Sequence, residues 1–411
     1  MLEFIIFSLL GLFLGTILGL IPGMHINNIL PLIMGLSFII DPMNLAIFIV
    51  SISISQIFIG YIPSIFLGAP EENTALSVLP GHKLLLAGKG FEAIKLTVIS
   101  GIFALFFSIS TIFILTNYFS YLYELSRPYV HYILIFLISI MLIYEKNFKM
   151  SILSLAIILL SGIFGILVLN STIITTKFVL FPVLSGLFGI STLLISLFQN
   201  SKIPPQSYDD EIDLPLSTFL KSIFLGSLSG LAVGFLPAVG VSQAATLMQY
   251  IGKMQEARSF LATLSSINIS NEIFSLISLF FVGNPRSGAS VAIERILGKL
   301  NFHDTLILIG TICFTSSMAA LLTIFLGKII PKFLIKINYK ILSLIIILFL
   351  LSMISISTGL NGLLIVFTAT SIGFLCNLLG VRRSHCMGVL LIPSIFFFAG
   401  LNPTIISILG L

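Results

Sequence analysis

The sequence has very little charge, and this shortage excludes most classes of protein. Only 9% of its 411 residues are charged and 57% are apolar, whereas a soluble domain carries about 25% charged residues. The mean hydropathy of +1.18 excludes a water-soluble fold. The net charge of +5 is spread over loops, so the concentrated positive surface that nucleic acid requires is missing.

Cysteine and processing signals are also scarce. Cys313, Cys376 and Cys386 are scattered and have no metal-binding or redox spacing. The N-terminus lacks a basic segment and an A-x-A cleavage site, so we interpret it as the first membrane helix and not as a signal peptide.

Signals of an enzyme are weak. Glu71 and Glu72 resemble the paired glutamates of intramembrane prenyl-protein proteases, but Leu76 stands where an arginine is expected. No Gly-x-Ser-Gly motif pairs with a histidine, and no His/Asp cluster has the spacing of metal ligands. We therefore expect neither catalysis nor a cofactor, apart from a coupling Na⁺ or H⁺.

Long segments without charge dominate the chain. They cover 4–40, 44–70, 96–123, 128–144, 150–176, 178–201, 222–252, 305–327, 341–381 and 387–411. A helix needs about 20 residues to cross the hydrocarbon core, and lipid cannot satisfy the open edges of a sheet. The sequence therefore predicts an all-α polytopic bundle of about ten to twelve membrane helices.

One pattern of glycine and proline occurs twice in the chain. The first copy contains Gly11, Gly15, Gly19, Pro22 and Gly68-Ala69-Pro70, and the second contains Gly226, Gly230, Gly234, Pro237 and Gly283-Asn284-Pro285. Every member is separated from its counterpart by the same distance in sequence, that from Gly11 to Gly226, which we name the repeat offset. A shared offset over such a distance indicates an internal repeat. We predict repeats at 1–200 and 217–411, joined by a linker at 201–216.

Each repeat opens with a helix that has small residues at every fourth position. Such a face allows a neighbouring helix to approach closely, and the proline that follows ends the helix. This pattern predicts a re-entrant helical hairpin at the start of each repeat. A kinked spanning helix is the competing interpretation.

The positions of the basic residues predict how the chain is oriented. The basic loops are 146–149, 328–340 and 382–383, and their counterparts in the other repeat, 359–362, 118–127 and 169–176, carry almost no positive charge. The positive-inside rule then places the linker in the cytoplasm and both termini outside. Equivalent loops with opposite bias predict an inverted repeat. Arg286, Arg295 and Lys299 violate the rule, and we expect them to face a site.

Four helix breaks, at 21–28, 68–74, 236–243 and 283–290, are the predicted substrate site. Helix N-termini at such breaks attract anions, and unwound carbonyls hold cations. The alternative is that the breaks serve packing only. The candidate substrate-binding residues are Pro22, Gly23, His25, Asn27, Asn28, Gly68, Pro70, Asn73, Thr74, Pro237, Ser242, Gln243, Pro285, Arg286 and Ser287.

Polar residues after the first break need partners. Each of His25, Asn27 and Asn28 would cost roughly 2 kcal/mol in an apolar setting without one. A substrate, water or another helix would supply the partner, and a backbone carbonyl is an equal alternative for His25.

Five residues are candidates for ion coupling: Glu71, Glu72, Asn268, Asn271 and Glu272. Glu272 lies in the otherwise uncharged stretch 259–285, and an ionisable group at membrane depth indicates a functional role. We expect it to relay protons or sodium, or alternatively to lie near an interface. The repeat offset matches Glu71 with Arg286, which predicts that the two pair, or that Arg286 binds the anion while a glutamate binds the cation.

Four stretches resemble the TctA-like large membrane subunit of tripartite tricarboxylate transporters. They are the opening at 15–42, the loop at 68–93 with Gly81-His82-Lys83-Leu84 and Gly88-Lys89, the segment 182–191, and the second-half copies at 230–240 and 283–289. The turns depart from the family pattern at Glu71, Arg286 and Ala238. The short chain is similar to a compact archaeal branch of the family.

The resemblance implies an ion-coupled carrier of a small carboxylate in the cytoplasmic membrane. It also implies a small membrane subunit and an extracytoplasmic binding protein as partners, and we add a homodimer as an expectation. The alternative function is a flippase for a lipid-linked phosphate such as polyprenyl phosphate, because arginine binds phosphate through two hydrogen bonds. A lateral apolar opening that leads to Arg286 would favour the flippase.

Overall fold

The structure is a computed structural model, and its described residues form helices and loops without a strand. These residues are 2–21, 26–69, 74–115, 118, 121, 124–125, 127–171, 174, 176–198, 204–208, 211–235, 240–254, 256–283, 285, 287–334 and 339–409. The polytopic helical bundle predicted from the composition is confirmed.

Eighteen α-helices follow one another in the described part of the chain. They are α1 (Leu2–Leu20), α2 (Ile26–Met34), α3 (Pro42–Ile59), α4 (Tyr61–Leu67), α5 (Val78–Leu86), α6 (Gly90–Leu115), α7 (Val130–Ile143), α8 (Phe148–Asn170), α9 (Thr176–Leu184), α10 (Ser191–Phe198), α11 (Leu216–Phe235), α12 (Val241–Tyr250), α13 (Ala257–Val282), α14 (Gly288–Leu297), α15 (Phe302–Leu334), α16 (Tyr339–Leu378), α17 (Gly388–Phe398) and α18 (Asn402–Leu409). Short 3₁₀ turns occupy Gly35–Phe38, Ala75–Ser77, Arg127–Tyr129 and Arg383–Met387, and a π-helical segment, Ser185–Ile190, joins α9 to α10.

Nine helices of the described part are long and apolar enough to cross a membrane. They are Leu2–Leu20, Pro42–Leu67, Gly90–Ile112, Phe148–Asn170, Phe178–Ile195, Leu216–Gly234, Ala257–Val282, Phe302–Phe333 and Ser343–Leu378. Three shorter apolar helices are Ala75–Leu86, Val130–Ile143 and Arg383–Phe398. Helix α16 contains a break at Gly359, where φ is 65° and ψ is −160°. The predicted number of membrane helices, ten to twelve, lies between the nine long helices and the total of the nine long and three shorter ones.

The glycine face of α1 packs directly on α3, and the two helices run in the same direction. Gly11 lies against Phe48 and Ser51, whereas Gly19, two turns further on, lies against Ile59. Parallel neighbours require the chain between them to return to its starting side. The chain between α1 and α3 therefore returns to the side on which α1 begins, and the choice between a re-entrant hairpin and a kinked spanning helix stays a prediction.

Helices α11 and α13 repeat this packing in the second half. Gly226 lies against Thr263 and Ser266, and Gly234 lies against Phe274. Each of these contacts is the counterpart of one in the first half at the repeat offset. The return between α11 and α13 is made by α12, so both copies open with the same return of the chain.

The helices that receive the two glycine faces are equivalent and cross one another in opposite directions. Both spans contain 26 residues, Pro42–Leu67 and Ala257–Val282, and each ends at a glycine in the left-handed conformation, Gly68 and Gly283. The Ser53 hydroxyl forms a hydrogen bond with Glu272. Tyr61 lies further along the Pro42–Leu67 span, which we name the first span, and forms a hydrogen bond with Asn268, which lies earlier in α13. Inverted copies would show such an antiparallel crossing, and both the inverted repeat and its orientation in the bilayer stay predictions.

Reciprocal contacts tie the two halves together. The Ser266 hydroxyl donates to the Ser100 carbonyl at 3.4 Å, and the Thr315 hydroxyl donates to Ser51 at 3.0 Å. Thr315 is the counterpart of Ser100, and Ser266 is the counterpart of Ser51, both at the repeat offset. Helix α6 thus packs on α13 as α15 packs on α3, which places α3 and α13 at the centre of the bundle.

The linker between the halves is held by polar contacts. The Gly90 amide donates to Gln206 Oε1 at 2.8 Å, and the Asp213 amide donates to Glu92 Oε1 at 3.0 Å. Arg258 Nε at the start of α13 also donates to Glu92 Oε1, at 2.7 Å. We name Glu92, Arg258 and Asp213 the linker clamp. It joins the start of α6, the linker and the start of α13.

Basic residues of two predicted cytoplasmic loops contact the linker, its neighbouring residues or the turn after α7. Lys328 lies 5.2 Å from the Phe91 ring centre and Lys332 lies 5.7 Å from that of Tyr208, a linker residue. The Arg382 guanidinium approaches Glu145, in the turn after α7, at 3.7 Å. The orientation of these loops in the bilayer stays a prediction. The repeat boundaries at 200 and 217 stay a prediction.

Candidate functional site

The carboxylate of Glu272 lies in the middle of the central helix crossing. Glu272 is separated from Ala257 by fifteen residues and from Val282 by ten, so it lies about 15 Å from the nearer helix end at 1.5 Å per residue. Its Oε1 accepts a hydrogen bond from the Ser53 hydroxyl at 2.8 Å and a longer one from Ser287 at 3.4 Å. Both donors are neutral, so no cation of the described residues compensates this carboxylate.

The local sequence explains why Ser287 reaches Glu272. Gly283 takes φ of 65° and ends α13, which turns the chain back along the helix toward α14. Ser287 is then the N-cap of α14, and its hydroxyl accepts from the Ser290 amide at 3.1 Å. The left-handed turn and the cap together bring the start of α14 beside the carboxylate.

The amide residues predicted beside Glu272 occupy different surroundings. Asn268 is buried one turn earlier, and its Nδ2 donates to the Tyr61 hydroxyl at 2.6 Å. It therefore shares with Glu272 the face that crosses the first span. Asn271 accepts a hydrogen bond from Ser275 of its own helix at 3.4 Å, so this contact does not connect α13 to the first span.

Each half has a helix that starts after the first glycine-faced helix, α2 in the first half and α12 in the second. The Ile26 amide, at the first residue of α2, donates to Gln56 Oε1 at 2.9 Å. Gln56 lies fourteen residues after Pro42, about 21 Å into the span. In the second half the Gly240 amide donates to Gln243 Oε1 at 2.9 Å, and Ser242 and Gln243 are buried at the start of α12.

Three further predicted residues lie in described loops. Gly68 is buried and caps α4, and Pro285 lies in the turn between α13 and α14. Thr74 is buried, and its carbonyl accepts from the Ser64 and Ser77 hydroxyls at 3.2 and 2.7 Å. The structure thus places Thr74 in a packed turn.

The remaining predicted site residues lie outside the described residues. These are Pro22, Gly23, His25, Pro70, Glu71, Glu72, Asn73, Pro237 and Arg286, together with the side chains of Asn27 and Asn28. The predicted pairing of Glu71 with Arg286, and the lateral opening toward Arg286, both concern this part of the chain and stay predictions.

Three contact residues were missed by sequence reasoning: Ser53, Gln56 and Tyr61. The repeat offset contained a signal for two of them, because Ser53 is the counterpart of Asn268 and Gln56 that of Asn271. A polar residue at membrane depth in one copy points to its counterpart in the other. Tyr61 has no such signal, since its contact with Asn268 arises only from the crossing angle of the two spans.

Nine candidate membrane spans in the described part of the chain and a carboxylate halfway along a central span are typical of a multi-pass membrane transporter. The chain belongs to the tripartite tricarboxylate transporter TctA family, whose model matches residues 5–388. The family is the large subunit of a tripartite transporter, so partner subunits are implied. An uncharacterized protein of Methanocaldococcus jannaschii is 34% identical over 403 residues, which are 96% of this chain and 98% of that protein. No solved structure matches the chain.

Proposed function

We propose that this transporter is an ion-coupled secondary carrier of a small organic anion, a carboxylate, across the cytoplasmic membrane. Glu272 is its cation-responsive group, and H⁺ or Na⁺ is the coupling ion. The observation that carries the proposal is the position of Glu272, halfway along a central span and bonded only to hydroxyl groups among the described residues.

A carboxylate in this environment responds strongly to a cation. Removing an ionised carboxylate from water costs several kcal/mol unless a partner compensates it, and two serine hydroxyls compensate only part of that cost. Binding H⁺ or Na⁺ would neutralise the charge. Since Glu272 touches Ser53 on α3 and Ser287 at the start of α14, occupancy would alter contacts with two neighbouring elements at once.

The hairpin arms supply the complementary attraction for an anion. Helices α2 and α12 start at the predicted hairpin tips, and the N-terminus of a helix carries roughly half a positive charge. The starts of both helices are therefore suited to a carboxylate, and a cation at Glu272 would strengthen the attraction at the start of α2, which lies near the middle of the Pro42–Leu67 span. This arrangement gives a physical reason for coupling between anion and cation.

The family relationship supports the proposed partners. An extracytoplasmic binding protein would deliver the anion, and a small membrane subunit would pack on the bundle. Affinity purification of the full chain from native membranes tests this, and we expect a small polytopic subunit to co-purify. Recovery of the chain alone, from membranes in which the small subunit is expressed, would contradict the proposal.

Uptake into proteoliposomes tests the function itself. The full chain is reconstituted together with any subunit that co-purifies, and labelled citrate, succinate and related acids are offered with and without inward Na⁺ or H⁺ gradients. We expect one acid to accumulate under one of the gradients. Absence of uptake for all acids, combined with binding of polyprenyl phosphate, would favour the flippase instead.

A further inference from the structure

A cavity of about 300 Å³ lies on the linker side of the bundle, away from Glu272. Its polar lining consists of Lys83, Gln249, Arg382, Arg383 and Ser384. Its apolar wall includes Phe188 of the π-helical segment and Ala257 at the start of α13. Cavities that hold small molecules have volumes of roughly 300–1,000 Å³, so this one suits a compact ligand.

The charges around the cavity are unbalanced. Three cationic side chains line it and no acidic side chain does. Arg382 alone approaches a carboxylate, that of Glu145 at 3.7 Å, and the same Glu145 oxygen also accepts from His385 Nε2 at 2.7 Å. Within the described ranges, Lys83 and Arg383 form no ion pair with an acidic side chain.

Arg383 is the deepest of the three cations, with only 6% of its surface exposed. Its Nη1 donates to the Phe188 carbonyl at 3.1 Å and to the Ser191 and Thr192 hydroxyls. These neutral acceptors hold one side of the guanidinium against the π-helical segment. A buried arginine without a compensating carboxylate is costly, and an anion in the cavity would supply the missing charge.

The three cationic side chains differ in their exposure to solvent. The Lys83 side chain is exposed, Arg382 is 31% exposed and Arg383 is buried. Lysine provides a mobile charge, whereas arginine binds carboxylate or phosphate oxygens through a planar pair of donors. The Ser384 hydroxyl and the Gln249 amide add neutral donors at the same wall.

We propose that this cavity is a second anion site, which binds a small anion with several oxygens, either a di- or tricarboxylate or inorganic phosphate. Arg383 and Arg382 bind the oxygens, and Lys83 attracts the anion from the linker side. The site is separate from Glu272 and the hairpin tips, and binding there does not depend on the transport reaction proposed above.

Calorimetric titration of the purified full chain in detergent tests the proposal, with citrate and inorganic phosphate as separate probes at constant ionic strength. We expect at least one probe to bind. Lys83→Gln and Arg382→Gln should each weaken binding about tenfold, as expected for loss of a charged hydrogen bond. Lys149→Gln removes an exposed charge from the first turn of α8 and should change the affinity less than about twofold. Binding of citrate alone or of phosphate alone supports the site and identifies its ligand if Lys83→Gln and Arg382→Gln weaken that binding.

A second measurement locates the bound probe in the natural chain, so it does not depend on whether a variant folds. The bound probe should slow acylation of Lys83 by an amine-reactive reagent and leave acylation of Lys149 unchanged, as mass spectrometry would show. Glu272→Gln should leave both the affinity and the protection intact. The proposal is overturned if neither probe binds, if Lys83→Gln and Arg382→Gln both bind as the natural chain does, or if Lys83 is not protected.

Discussion

Replacing Gly11 or Gly226 with alanine tests the packing on which both halves of the fold rest. An added Cβ at Gly11 would lie 2.6 Å from the Phe48 carbonyl oxygen and 2.6 Å from Ser51 Cβ. At Gly226 the corresponding distances are 2.7 Å to the Thr263 oxygen and 2.6 Å to Ser266 Cβ. Because backbone atoms cannot rotate away, each methyl group must push its helix off the neighbouring span.

The expected cost follows from two opposing effects. Inserting a methyl group into a close-packed contact costs about 1–3 kcal/mol, whereas exchanging glycine for alanine in a helix gains up to about 1 kcal/mol. We therefore expect a net loss of about 1–2 kcal/mol at each position. The two losses should agree within about 0.5 kcal/mol, since the contacts are equivalent.

Gly310 provides the matched control, because it lies in α15 with nothing within 4 Å of an added Cβ. Gly310→Ala should be neutral or slightly stabilising. The chain has no tryptophan, so thermal unfolding in micelles is best followed by the reaction of a thiol-specific dye with the buried Cys376 and Cys386. A Gly11→Ala variant as stable as Gly310→Ala would refute the packing argument.

Two further predictions concern the linker side of the bundle. Burial lowers the pKa of His82, in α5 outside the nine long spans, from 6.5 to about 4. Below pH 6.5 the unfolded chain takes up a proton that folded His82 does not, so stability present above pH 6.5 is lost as the pH falls toward 4. His82→Gln should reduce this slope of apparent melting temperature against pH, and an unchanged slope would contradict the assignment. In the linker clamp, Glu92→Gln leaves Arg258 without its closest partner and should cost about 2 kcal/mol. Glu211→Gln, at an exposed linker position, should cost less than about 0.5 kcal/mol, and equal melting temperatures for the two variants would exclude a structural role for the clamp.

The membrane fold was predictable because it follows from composition and spacing alone. Charge-free segments predicted the spans, and the repeat offset predicted that Gly226 would pack as Gly11 does. Glu272 could be singled out for the same reason, since an isolated charge in an apolar stretch is recognisable without knowledge of its partners, and its role in ion coupling stays a prediction.

The second anion site was not predictable, because its residues come from distant parts of the chain. Lys83 lies in the first half and Arg382 near the end of the second, and neither position was assigned to a site. The linker clamp was missed for the same reason, since Glu92 and Arg258 meet only after α6 and α13 pack side by side. Spacing in one sequence records neighbours along a helix, not contacts between helices.

The most direct test of the account is coupling of transport to Glu272. Glu272→Gln keeps the shape of the side chain and the ability to bond with Ser53, but it cannot bind or release a charge-compensating cation. In proteoliposomes that contain the natural chain and its co-purified subunits, we predict that an inward gradient of Na⁺ or H⁺ drives accumulation of the labelled acid. The Glu272→Gln variant should still exchange labelled for unlabelled acid across the bilayer but should fail to accumulate it. Accumulation by Glu272→Gln to the level of the natural chain, under the same gradient, would contradict the central claim.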